Sequence, residues 1–324
     1  MVAMLWADDR YRGAHGIGRY ASEVLSRLGN SWTSLGLSGK PGSPLDPAQR
    51  LPAERGDLVY SPGYAGFFSR RRQILTVHDL IHLKTPWPGR AKYLAYYGSV
   101  VRPAIDRAGV VLTVSETSRA AIREWLGNER VEVVNAGIGC SDAFRVDGGA
   151  DVSDQPYIQY VGNLRRHKNV DVVLRALATI TDVRIRLLLP ASEIDEARAR
   201  IDALGLSARA EAVSGLSDVA LAASYRGARA TVMPSTLEGF GLPALESIQC
   251  GTPVIYWKGC TAVSETVGDR GIAVDDAADV RAWATAIGRL VAEPRRVEPP
   301  APDAYSWDRT AASVRRVLQE SGSA

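Results

Sequence analysis

The sequence predicts an α/β protein built as two halves, each a mainly parallel sheet with helices between its strands. Three observations predict it. Short apolar runs alternate with stretches whose apolar residues recur at helical spacing. No hairpin-like two-residue turn joins those runs, so crossovers rather than hairpins link the strands. The rhythm lapses over residues 136–156, where Gly137, Gly139, Gly148, Gly149 and Pro156 stand among few apolar residues and mark a linker. A length of 324 residues suits two domains.

The first half opens with a strand over 2–7, a long loop over 8–18 and a helix over 19–28, whose Tyr20, Val24, Leu25 and Leu28 share a face. Strands follow over 58–60 and 74–77. A strand over 110–114 then leads through Ser115 into a helix over 116–126, with a further strand over 131–135. The second half starts with a strand over 157–161 and a helix over 170–180. It continues with a strand over 184–189, a helix over 194–204, and short strands over 212–214, 230–233, 254–257 and 272–274. A helix over 280–291 precedes a Pro-rich break over 294–302, and a closing helix covers 308–319.

Composition excludes several classes. Hydrophobic residues make up 46% and charged residues 23%, ordinary globular values, and a net charge of +3 describes neither a cationic nucleic-acid arm nor an acidic tail. Cys140, Cys250 and Cys260 have neither disulfide-scaffold nor zinc-knuckle spacing, so a reducing, cytoplasmic setting is expected. The apolar start over 1–7 is too short for a signal peptide, and no run approaches a membrane span. The charge is unevenly shared: residues 1–150 hold 19 Lys and Arg against 14 Asp and Glu, and the remainder 20 against 22. Within 58–103, Arg70, Arg71, Arg72, Lys84, Arg90, Lys92 and Arg102 face only Asp79, interleaved with aromatic residues.

Residues 234–253 carry the most chemistry. Gly239 and Gly241 allow a tight turn with positive backbone angles after a strand, and a helix starting at Leu242 tolerates Pro243 in its first turn. Amides at that start suit an anion. Glu238 lies in the turn and Glu246 one turn into the helix, so both can face one ligand. Gly162-Asn163-Leu164-Arg165-Arg166-His167-Lys168-Asn169 follows another strand and places three bases and a histidine at the usual ligand edge of a parallel sheet, suiting a phosphate-bearing substrate. In the first half, Gly13, Gly16 and Gly18 permit close approach of a phosphate or sugar, without the dinucleotide fingerprint. His78 ends a strand beside Asp79. With His82 it falls short of a metal set, and neither a nucleophile elbow nor a Walker phosphate loop is present.

G-I-G-R-Y at 16–20, T-V-H-D-L at 76–80, T-V-S-E-T-S at 113–118, G-N-L-R-R-H-K-N at 162–169, P-S-T-L-E-G-F-G-L-P-A-L-E at 234–246 and Y-S-W-D at 305–308 occur in that order. They resemble the motifs of retaining glycosyltransferase family 4, with bacterial mannosyl- and rhamnosyltransferases of surface polysaccharide assembly as the nearest flavour. The resemblance implies a GT-B fold, two Rossmann-like domains facing across a cleft. Residues 1–145 would bind the acceptor, 146–305 the nucleotide-sugar, and 306–324 would form a helix returning to the first domain.

It also implies roles. Glu246 would hold the donor ribose and Glu238 the hydroxyls of the transferred sugar, while Lys168 would neutralise the diphosphate. Asn163 and the turn Gly239, Phe240, Gly241 and Leu242 would line the donor site. Gly16 would approach the phosphate–sugar junction from the other domain, and His78 would line the donor–acceptor junction. Many relatives carry arginine where this chain has Asn163 and His167, which shifts the supporting phosphate contact to Arg165 or Arg166. The expected reaction is retaining hexose transfer, with GDP-mannose the favoured donor and no metal or resident cofactor, to a saccharide or polyprenyl-diphosphate-linked saccharide. The basic segment 58–103 would meet an anionic membrane surface from the cytoplasmic side. A UDP- or dTDP-sugar donor and an inactive sugar-nucleotide-binding scaffold are the competing readings; nucleic acid is not an expected partner.

Overall fold

A computed structural model describes residues 4–13, 16–43 and 45–322. Of the expectations above, those for residues 2 and 3 of the first strand and for Ala14 and His15 of the glycine loop lie outside the described residues. The chain divides into two compact units, Met1–Gly139 with Asp303–Ala324, and Cys140–Pro302. The divisions fall at 139/140 and 302/303 rather than at 145/146 and 305/306.

In the first unit, β1 (Leu5–Ala7), β2 (Thr33–Ser34), β3 (Leu58–Ser61) and β4 (Arg72–Leu75) pair in the order β2-β1-β3-β4. β5 (Val110–Thr113) and β6 (Glu132–Asn135) form a second sheet, linked to β4 by a bridge between Thr76 and Leu112. Every pairing is parallel, so all carboxyl ends lie at one edge. β4 sits two residues earlier than expected. Its ladder to β3 runs from Arg72 opposite Leu58 to Leu75 opposite Ser61, and Val77 donates instead to the Leu112 carbonyl.

The helices of this unit are α1 (Gly16–Leu28), α2 (Ile81–Lys84), α3 (Arg90–Tyr96), α4 (Arg102–Ala108) and α5 (Glu116–Leu126). α1 begins at Gly16, inside the expected loop. A Cβ at Gly18 would lie 2.5 Å from the Gly13 carbonyl oxygen, so glycine there lets the helix close against the chain leaving β1. Between α3 and α4 the helix widens into a π-turn, Tyr97–Val101, where the Arg102 N–H reaches the Tyr97 carbonyl. Pro103, one residue on, has no N–H to donate and cannot continue an α-helical ladder. Ser115 caps α5 by accepting from the Ser118 N–H at 2.9 Å.

The second unit holds one six-stranded sheet, β7 (Tyr157–Val161), β8 (Arg184–Leu188), β9 (Ala210–Val213), β10 (Ala230–Met233), β11 (Val254–Trp257) and β12 (Gly271–Val274), all parallel, in the order β12-β11-β10-β7-β8-β9. Its helices are α6 (Val170–Ala178), α7 (Ile194–Ala203), α8 (Asp218–Gly227), α9 (Leu242–Gln249), α10 (Thr261–Val267) and α11 (Val280–Ala292). The expected linker over 136–156 is not loose: Phe144 is buried with Ala222, Tyr225 and Cys250.

The last helix, α12 (Trp307–Gly322), belongs to the first unit and packs on α1. Arg27 pairs with Asp308 at 2.7 Å, Arg72 donates to the Ser321 carbonyl at 2.7 Å, and the Trp307 ring occupies the space a Cβ on Gly139 would need.

Candidate functional site

In the second unit the strand order reverses between β7 and β10, which lie side by side. Such a switch point opens a crevice beyond the carboxyl ends of the strands. The two loops singled out in the sequence leave those two strands. A 3-10 turn, Arg166–Lys168, follows β7, and the chain from Pro234 to Gly241 leads from β10 into α9.

Lys168 Nζ donates to Glu238 Oε1 at 2.6 Å, with the two side chains 15% and 9% exposed. The loops are also tied through the backbone. The His167 carbonyl accepts from the Thr236 N–H at 2.7 Å and from its hydroxyl at 3.1 Å. Asn169 is the one non-glycine residue at positive φ among the described residues, at 52°, and its Nδ2 donates to the Ala277 carbonyl at 2.8 Å. Asparagine tolerates this left-handed geometry better than most side chains, and here it turns the chain directly into α6.

Gly241 takes φ 92° before α9 and needs glycine, whereas Gly239 is not in the left-handed region; one residue makes the turn where two were expected. Gly239, Phe240 and Gly241 are buried and Leu242 is half-buried. The Ser235 hydroxyl, at 1% exposure, has no hydrogen-bond partner among the described residues. Glu246 is buried on α9, and its Oε2 accepts from the Tyr225 hydroxyl at 3.0 Å. Burial and the nearby carboxylate push the Tyr225 hydroxyl well above its ordinary range, which keeps it a donor. Asn163 is half-buried, and its carbonyl accepts from the Tyr160 hydroxyl at 2.6 Å. Arg165 and Arg166 are exposed, so of the loop's bases Lys168 is the inward cation.

The first unit repeats the plan. Its strand order reverses between β1 and β3. Gly16 begins α1 after β1, and His78 follows the strand beyond β4. The His78 Nε2 lies 2.9 Å from the Pro62 carbonyl, just past β3; since a carbonyl only accepts, that nitrogen carries the proton and a neutral ring holds its lone pair on Nδ1. The His78 ring stands edge-on to Tyr20 of α1 at 4.7 Å. Gly16 and His78 thus sit with one unit, and Asn163, Arg165, Arg166, Lys168, Glu238–Leu242 and Glu246 with the other.

Four contributors were given no role in the sequence: Tyr225, which lies outside the motifs, and Ser235, Thr236 and the left-handed Asn169, which lie within them. Only Asn169 carried a local signal, an asparagine before an apolar helical run. Tyr225 and Thr236 act through partners distant in the chain, at separations of 21 for Tyr225–Glu246 and 69 for Thr236–His167, and the Ser235 hydroxyl has no partner among the described residues to mark it. Among the described residues no group of three or more His, Cys, Asp and Glu is arranged to hold a metal ion. A partly buried cation with N–H donors to spare beside the Glu238 carboxylate, on loops that leave adjacent strand ends, can take an anionic group together with a hydroxyl-rich one.

Residues 147–307 match the family described as Glycosyl transferases group 1. The chain is 27% identical over 235 residues to the O-antigen chain mannosyltransferase B of Escherichia coli, covering 68% of this chain and 61% of that one. It is 33% identical over 321 residues to the D-inositol 3-phosphate glycosyltransferase of Mycobacterium tuberculosis (strain F11), covering 82% and 65%. In both cases it spans less than two thirds of the relative's length. The sucrose-phosphate synthase of Thermosynechococcus elongatus aligns with 99% of this chain and 94% of its own, at a TM-score of 0.71 and 19% identity, a likeness of fold.

Proposed function

From residue 147 to residue 307 this chain is a glycosyl transferases group 1 domain, and on that premise we propose a retaining glycosyltransferase using a nucleoside-diphosphate sugar. The observation that carries the reading is the partly buried Lys168–Glu238 contact at the switch point, between the loop that leaves β7 and the chain that leads from β10 through Gly241 into α9. Lys168 faces the diphosphate, with Arg165 or Arg166 reaching in from the exposed side. Glu238 accepts from hydroxyls of the transferred sugar, and Glu246, oriented by Tyr225, accepts from the ribose. Asn163 and the turn from Gly239 to Leu242 line the donor.

In the transfer, an acceptor hydroxyl oxygen attacks the anomeric carbon from the face the diphosphate leaves. The anomeric carbon–oxygen bond breaks with its electrons passing to the leaving phosphate, and the acceptor proton moves to a phosphate oxygen. Lys168 stabilises the charge that develops there, without a metal in the reaction. The mannosyltransferase relative favours a hexose such as mannose, with GDP-mannose the first donor to try. The first unit supplies the acceptor side, where His78 and Gly16 meet a saccharide or lipid-linked saccharide. Isothermal titration against GDP-, UDP-, dTDP- and ADP-sugars tests this. A saturable, stabilising response to one base is expected, and no response to any would overturn the reading.

Arg71 and Arg72 bond to backbone carbonyls, at Ala53 for the first and at Ala108 and Ser321 for the second, and the exposed Arg90 and Arg102 likewise donate to the Leu83 and Leu126 carbonyls, which leaves Arg70, Lys84 and Lys92 as the outward cations. Phe68, Trp87 and Leu94 are exposed in the same stretch, at 67%, 42% and 42%. Among the described residues no helix is long and apolar enough to cross a membrane. This face would rest on an anionic bilayer on its cytoplasmic side. Flotation with anionic vesicles at low salt is the expected positive, and equal recovery with neutral vesicles would sink it.

A further inference from the structure

We propose that Glu238 makes the donor site discriminate against the bare nucleoside diphosphate, the leaving product of transfer, by competing with it for Lys168. The inference rests on the reading of the second unit as a nucleoside-diphosphate-sugar site and adds to it a selectivity that the fold builds in.

The backbone on both sides of the lysine is held in place. On one side His167 is held by both hydrogen-bonding groups of Thr236, and on the other Asn169 is tethered to Ala277 in left-handed geometry. Thr236 is two residues before Glu238, so the clamp on the lysine's backbone and the carboxylate belong to one short segment. The pair is therefore preformed, largely out of water, at 15% and 9% exposure. Nearby Tyr160 and Cys260 add no charge of their own, because burial pushes the Tyr160 hydroxyl above its ordinary range and the Cys260 thiol up to about 12.

A phosphate that approaches Lys168 must then come close to a carboxylate sharing the same ammonium. Two anions on one partly buried cation repel each other strongly, because water screens them poorly there. A sugar on that diphosphate changes the balance, since its hydroxyls give Glu238 donors that offset the repulsion. Without the sugar the repulsion stands alone. Glu238 would thus strengthen binding of the substrate and weaken binding of the product through one carboxylate, and product release would follow from the loss of the sugar.

Titration of GDP, GDP-mannose, UDP and UDP-glucose into the wild-type chain, Glu238→Gln and Lys168→Met tests this, with melting temperatures recorded for each. E238Q keeps the shape and a hydrogen-bonding oxygen while removing the charge. It should bind the matching nucleoside diphosphate at least about tenfold more tightly than wild type, while the sugar nucleotide binds equally or less tightly. In a Lys168→Met background the same substitution should leave diphosphate binding unchanged. Diphosphate binding that is unchanged or weaker in a folded E238Q overturns the inference, and Glu238→Ala supplies the same comparison if E238Q does not fold. Absence of binding by the wild-type chain to these four nucleotides and to the dTDP- and ADP-sugars would instead remove the underlying reading.

Discussion

Each unit buries an ion pair at a carboxyl end of its sheet, and the two are built to different ends. In the first, Arg10 follows β1 and lies between Asp8 and Asp46, both fully buried, with its own side chain 7% exposed. All five of its N–H groups are engaged: by Asp8 through Nε and Nη2, by Asp46 through Nη1 and Nη2, and by the Ser38 carbonyl. Burial pulls the guanidinium's affinity for its proton down, but the bonds and charges of the two aspartates outweigh it and hold the group above its ordinary value. In the second, the Lys168 ammonium makes one hydrogen bond among the described residues, to Glu238. The first arrangement is saturated and can only hold loops together, here the chain around Ser38, Gly42 and Gln49. The second keeps donors in hand, which is what recognition of a ligand requires. Burial and charge alone would not separate the two; the count of satisfied donors does.

The contrast can be broken most directly at Arg10. Arg10→Met leaves two buried carboxylates without their cation and is expected to cost about 3–5 kcal/mol of stability, read as a fall in the midpoint of urea unfolding. A loss under 1 kcal/mol would mean the triad is no anchor. The next effect, up to about 3 kcal/mol, belongs to His82 of α2. Burial lowers its pKa from 6.5 to about 4, and Asp79, 3.9 Å from Nδ1, does not reverse that. The unfolded chain therefore binds more protons between pH 6.5 and 4. The stability that neutral His82 allows is complete above pH 6.5 and is lost as pH falls through that window. His82→Phe should flatten this part of the melting-temperature profile; an unchanged slope would assign it to other groups. Smallest is the effect of removing both members of the open pair. Lys168→Met with Glu238→Gln is expected to stay within about 1 kcal/mol of wild type, because neither charge is left alone. A loss as large as that of Arg10→Met would erase the distinction between the two pairs.

Much of the second unit was legible in its sequence because its central strands are largely buried and mostly apolar, β11 without a break and β7 and β10 interrupted only by Gln159 and Thr231. β7, β10 and β11 fall on the expected residues, and so does the start of α9 at Leu242. Edge strands were harder: β9, with all four residues half-buried, begins two residues before its expected start. In the first unit the helical stretch from Arg90 to Ala108 was read only as a basic, aromatic segment. Its inward aromatics Tyr93, Tyr96 and Tyr97 and its Pro103 disrupt a simple helical period, and the π-turn shifts the register midway. The charged members of the candidate site were visible as residue types in motifs. Their orienting partners were not, since Tyr225 and Thr236 reach them only through tertiary folding.

The placement of α12 has a consequence for the order in which the protein is assembled. The first unit is discontinuous in sequence, and the second is an insertion between its two parts. During synthesis all of Cys140–Pro302 emerges before Trp307, Val314, Val317 and Leu318 can cover α1. The second unit can therefore complete its core while the first still exposes the apolar side of α1 and the space beside Gly139. Closure of the first unit is then a late, long-range event, with the loop-closure cost of bringing residues some 280 positions apart together, as in the Arg27–Asp308 contact. A chaperone that prolongs the life of the nascent chain would be of most use to the half that was begun first.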